Sequence, residues 1–94
     1  MQPVKLKKRE ISRLLKQFTP DTHSYHVFKS VAQHGRRTKQ QLLDESPRPK
    51  CNPGREIINF VNPRLKTYGL AVYSTRQPGQ AKPEFVLFST GEGA

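Results

Sequence analysis

The chain has 94 residues, with 17 Lys and Arg against 7 Asp and Glu, a formal charge of +10, and 33% hydrophobic residues. That length suits one small domain burying roughly 60% of its unfolded surface, which argues against a deep substrate cavity. The lone Cys51 excludes an intrachain disulfide and fits a reducing compartment, and no apolar run approaches the roughly 18 residues of a membrane span. No apolar stretch follows the basic start, so a soluble, unexported domain is expected.

Residues 1–4 read as a flexible start. Across Lys5 to Phe18, the residues Ile11, Leu14, Leu15 and Phe18 recur at helical spacing, one buried stripe opposite a cationic face. Thr19-Pro20 ends that helix, because a residue before proline is pushed out of the helical region. Asp21 to Ser24 offers several N-caps for a second helix, with Tyr25, Val27, Phe28, Val31 and Ala32 on its core face and Gly35 as its stop. Thr38-Lys39-Gln40-Gln41 fits a capping box for a short third helix, anchored by Leu42 and Leu43 and ended at Ser46-Pro47.

Ser46 to Asn52 is a loop by composition. Asn52-Pro53 then starts a fourth helix, since asparagine caps and a proline at the first helical position lacks only a donor that would be orphaned anyway. Ile57, Ile58, Val61 and Leu65 form its apolar face, Pro63 should kink or split it, and Tyr68-Gly69 closes it. Leu70 to Thr75 and Glu84 to Ser89 read as the strands of a hairpin. Residues 76–83 make its long basic tip, turning at Pro78-Gly79. Residues 91–94 read as a flexible tail, which leaves 5–90 as a single α+β domain.

The charge lies on successive elements rather than on one arm. Lys5, Lys7, Lys8, Arg9, Arg13 and Lys16 load the first segment, Arg36, Arg37 and Lys39 flank the start of the third helix, Arg55, Arg64 and Lys66 lie along the fourth, and Arg76 and Lys82 bracket the turn. Such a spread suits a folded surface that tracks a phosphate backbone. It suits a solubility surface as well.

A short capped helix from Thr38 to Glu45, a longer helix from Pro53 to Tyr68 and a ribbon with a basic tip follow one another directly. Over Tyr25 to Phe88 this order resembles the winged helix-turn-helix family. Within that family, Arg55-Glu56-Ile57-Ile58-Asn59-Phe60-Val61-Asn62-Pro63-Arg64-Leu65-Lys66-Thr67-Tyr68-Gly69-Leu70 is most similar to response-regulator output domains, which share a recognition helix ending in an Arg-Leu-Lys-like stretch before the wing. The resemblance implies three to four helices followed by a two-stranded wing, here with an extra basic N-terminal helix. It also implies that helix 53–68 enters the major groove of double-stranded DNA while wing 76–82 touches backbone or minor groove. A transcriptional regulator is the function it suggests.

The residues make a parallel physical case. With Ile57, Ile58, Val61 and Leu65 facing the core, Arg55, Asn59, Asn62, Arg64 and Lys66 fall on the outer side. Arg pairs bidentately with guanine, Asn with adenine, and Lys serves phosphate as a point charge. Glu56 would repel phosphate unless it pairs with Arg55 or accepts from a cytosine amine. Arg76 and Lys82, with Gln77 and Gln80, would grip the backbone, or else discourage edge pairing of the hairpin. Arg36, Arg37 and Thr38 stand at a helix N-terminus, where unpaired N–H groups favour phosphate. Lys7 and Lys8 add backbone contacts from the first helix.

A homodimer is compatible with this plan, because one such domain covers a single half-site. His23, His26, His34 and Cys51 match no common zinc spacing, and no nucleophile, base and acid come together, so neither a metal, a cofactor nor an enzymatic activity is expected. Pro53-Gly54-Arg55 is too poor in glycine for a nucleotide phosphate loop. Two rival readings stand beside DNA: an RNA-binding module stacking bases on Tyr25, Tyr68 or Tyr73, and an adaptor for an acidic protein. Binding to a membrane surface fits poorly, because the apolar stripe of the first helix is needed in the core. Cytoplasmic, nucleoid-associated placement would follow for a prokaryotic or viral protein, and nuclear placement for a eukaryotic one.

Overall fold

The computed structural model describes residues 2–46, 52–75, 79 and 82–90. The expected loop before Asn52 with Cys51, most of the wing tip with Arg76, and the tail 91–94 lie outside the described residues. Helix α1 is Lys8–Leu15, shorter than the spacing of apolar residues implies. Its first turn is closed by Glu10, whose carboxylate accepts the Lys7 N–H at 3.1 Å. Beyond Leu15 the amides of Lys16, Gln17 and Phe18 donate to carbonyls three residues back, at 3.0–3.3 Å. This tightened last turn carries Phe18 into the core, where its ring stacks on Phe28 at 5.1 Å.

Helix α2, His23–His34, supplies the centre of the core with Val27, Phe28, Val31 and Ala32. Among the candidate caps Thr22 takes the position, its hydroxyl accepting the Tyr25 N–H at 3.3 Å. Gly35 ends the helix at φ 82°, a conformation that costs a residue with a Cβ. Helix α3, Lys39–Glu45, opens with both halves of the expected capping box, Gln41 N–H to Thr38 Oγ1 at 3.2 Å and Thr38 N–H to Gln41 Oε1 at 2.9 Å.

The long helix runs through residues 53–68 without the expected break at Pro63. It is α-helical over Pro53–Glu56, widens to a π turn over Ile57–Val61, returns to α over Asn62–Leu65 and tightens to a 3-10 turn over Lys66–Tyr68. The π turn is closed by Asn62 N–H donating to the Ile57 carbonyl five residues back. Proline at 63 has no N–H to offer the preceding turn and its ring crowds the carbonyl there, and the helix accommodates both with one wider turn just before it. Ile57, Val61 and Leu65 are buried, but Ile58, expected in the core, is 71% exposed. In the π turn more than four residues share each turn, so Ile58 lies about a quarter turn from Ile57 and off the stripe that Ile57, Val61 and Leu65 fill.

The hairpin strands have the expected bounds, Leu70–Thr75 and Glu84–Ser89, paired antiparallel from Leu70 with Ser89 to Thr75 with Glu84. They belong to a larger antiparallel sheet of four strands rather than to a two-stranded ribbon. Numbered in chain order, β1 is Gln2–Pro3, β2 is Arg36–Thr38, and the hairpin strands are β3 and β4. With β3 along one edge of β4, the other edge takes β2 opposite Val86, Phe85 and Glu84 and β1 opposite Ser89 and Phe88. Residues 2–4, expected to be loose, are thereby tied down, and Val4 N–H donates to the Leu87 carbonyl at 2.9 Å. Val72 and Leu87, directly opposed, put the inner face of the sheet on the helices. The fold is α+β, four helices and four strands among the described residues.

Candidate nucleic-acid interface

With Ile57, Val61 and Leu65 inward, the side of helix 53–68 farthest from the core carries Arg55, Asn59 and Lys66. All three are exposed, and their side chains make no hydrogen bond or ion pair among the described residues. Asn52 caps the helix from below, its side-chain oxygen accepting the Arg55 N–H at 3.3 Å. This ridge therefore sits on a rigid element and presents one asparagine, one arginine and one lysine in about three turns.

Either flank of the ridge is committed to structure. Asn62, expected beside Asn59, turns to the sheet: its Oδ1 accepts the Val72 N–H at 2.8 Å and its Nδ2 donates to the Val72 carbonyl at 3.0 Å. The amide mimics a neighbouring strand and closes part of the free edge of β3. With its amide oxygen and nitrogen both bonded to Val72, Asn62 clamps the helix to β3 and does not present its amide outward. Arg64 lies on the opposite flank, its Nη1 donating to the Phe60 carbonyl at 2.9 Å and its guanidinium 5.6 Å from the Phe18 ring centroid. Glu56 faces α2, with its Oε1 3.8 Å from His23 Nδ1, instead of pairing with Arg55.

The residues expected at a helix N-terminus form strand β2, and the two-residue period of a strand divides them. Arg37 stands opposite Phe85, which packs against the core, and its side chain is only 20% exposed. Its Nη2 is 3.0 Å from Glu45, its Nε donates to Ser30 Oγ at 3.2 Å, and Ser30 donates to Glu45 at 2.6 Å. That cluster ties α2, β2 and α3 together, and the Thr38 N–H is taken by Gln41, so it is not free for a phosphate. Arg36 points to the other sheet face, 55% exposed and 3.9 Å from Glu84, a pair too open to hold it. Lys7, Lys8 and Lys82 are exposed, whereas Arg76 lies outside the described residues.

Beside the ridge, between helix 53–68 and β3, runs a groove lined by Ile58, Asn62, Pro63, Lys66 and Tyr73. Ile58, expected in the core, and Tyr73, named as a stacking residue in the RNA reading, are both exposed along it. No spacing rule flags Ile58: at α-helical spacing it falls about 20° from Leu65 around the axis, and the π turn is what takes it off the stripe. No three His, Cys, Asp or Glu side chains gather into a metal-binding set among the described residues, and no helix is long and apolar enough to cross a membrane. Comparison with protein-family models, with curated proteins and with solved structures returned no match.

Proposed function

We propose that the chain is a winged-helix protein that binds double-stranded DNA, helix 53–68 entering the major groove and the hairpin acting as the wing. The order helix α2, strand β2, helix α3, long helix, strand β3, strand β4, with β2 paired to β4, supports that architecture. The observation that carries the reading is the ridge of Arg55, Asn59 and Lys66, three exposed polar side chains with no partner among the described residues, on a chain of +10 charge. Arg55 supplies the fork that fits guanine O6 and N7, and Asn59 the amide that fits adenine N6 and N7. Lys66 meets phosphate as a point charge, with Arg36, Lys82, Lys7 and Lys8 as further backbone contacts. Regulation of transcription is the use this chemistry suits, and a second copy would extend the half-site.

Anisotropy of labelled duplex DNA, single-stranded DNA and duplex RNA, titrated from low to physiological salt, tests it. Duplex DNA is expected to bind most tightly, with a log–log salt slope of about −0.9 per phosphate contacted. Arg55→Glu/Lys66→Glu should then weaken binding at least tenfold more than the charge-matched Lys7→Glu/Lys8→Glu. Equal losses, with no preference among the three nucleic acids, would sink the reading and leave generic charge or an acidic protein partner.

A further inference from the structure

Ile58 is the most exposed large apolar side chain among the described residues, at 71%, and it lines the groove that borders the cationic ridge. Arg55 lies one helical turn before it, Asn59 is the next residue, and Lys66 lines the same groove. An apolar patch rimmed by two cations is poorly made for a second copy of this chain, because self-association through it would bring like charges together. The same rim draws in a polyanion.

A polyanion that also offers an apolar contact at this depth is specific. In the major groove each base pair presents hydrogen-bonding edges, and the one apolar group among them is the C5 methyl of thymine. Isoleucine is branched at Cβ, so its rotamer is largely preset and little freedom is lost when it makes such a contact. Resting on the DNA-binding reading above, we infer that Ile58 is a specificity-determining residue that reads a thymine methyl. Asn59, the next residue of the π turn and about a quarter turn further around the axis, takes the adenine of the same or an adjacent base pair. The target then contains an A·T pair at that step, and the contact favours DNA over an RNA of equal sequence, whose uracil lacks the methyl.

The test starts from a duplex enriched by the full chain out of a random-sequence pool. Each thymine is replaced singly by deoxyuridine, which removes the methyl and leaves every hydrogen-bonding edge in place. Wild-type protein is expected to lose about three- to fivefold in affinity at one position per bound chain, the scale of one buried methyl. Ile58→Ala, a change at an exposed site that leaves the core intact, should bind thymine and deoxyuridine duplexes alike there and keep the wild-type salt slope. No loss at any position, or the same loss in Ile58→Ala, would overturn the inference while duplex binding itself stood. Absence of duplex preference in the parent protein would overturn both.

Discussion

Helix 53–68 and strand β2 each hold a pair of like residues that the fold uses in opposite ways. Asn59 and Asn62 lie less than one turn apart, yet Asn62 bonds Val72 through both its amide oxygen and its nitrogen while Asn59 is exposed without a partner among the described residues. Arg36 and Arg37 are neighbours on a strand, yet Arg37 is locked to Glu45 and Ser30 while Arg36 is mostly exposed. Residue type and local charge are the same within each pair. What differs is how closely groups of another element hold the side chain: Arg37 is 3.0 Å from Glu45 and mostly buried, whereas Arg36 is 3.9 Å from Glu84 and open to water. Candidate binding residues are therefore better chosen by the partners they lack than by their chemistry alone.

The asparagine pair offers the sharpest way to break that distinction. Asn62→Ala strips the partners from the Val72 N–H and carbonyl at a half-buried edge, and should cost about 1–3 kcal/mol of stability. Asn59→Ala should stay within about 0.5 kcal/mol of wild type while relaxing base preference at one position. Urea midpoints at unchanged m distinguish them, and equal midpoints would mean that the clamp contributes nothing. A smaller contrast is expected of the arginines. Arg37→Ala should lose about 1–2 kcal/mol, the loss being limited because Glu45 keeps 38% of its side chain exposed to water. Arg36→Ala should leave the midpoint within about 0.5 kcal/mol and lower the salt slope of DNA binding by about one unit. Reversed slopes, with Arg37 the one that matters for binding, would undo the assignment of Arg37 to structure.

Much of the fold was legible because its signals are local. The capping box at Thr38, the Asn52-Pro53 start, the Gly35 and Gly69 stops and both hairpin strands each follow from residues within a turn or two of one another. Strand β2 was not legible, because Arg-Arg-Thr has no apolar alternation and its pairing with β4 is a backbone matter between distant segments. Strand β1 was missed for the same reason. The Asn62 clamp is a tertiary contact that no spacing rule encodes. Pro63 did announce a disturbance, but a proline can be met by a kink, a break or a wider turn, and the choice depends on what packs around it. At the ridge, Arg55, Asn59 and Lys66 followed from the helical period, whereas the removal of Asn62 and Arg37 needed the partners in view.

Arg64 is the case where the distinction is finest. It is exposed, like the ridge residues, but its guanidinium lies over the Phe18 ring and its Nη1 donates to the Phe60 carbonyl. An exposed cation–π contact is worth about 0.5–1 kcal/mol, so Arg64→Ala should lower stability by no more than that. Arg64→Lys should recover only part of it, because an ammonium lacks the planar face that stacks on a ring. For DNA binding, a side chain turned toward the α1 end of the domain should leave the salt slope at the wild-type value in both variants. A slope reduced by about one unit in Arg64→Ala and restored in Arg64→Lys would instead mark a phosphate contact made by a point charge. Arg64 would then swing off Phe18 when DNA arrives, and the ridge would gain a member that the unbound fold holds in reserve.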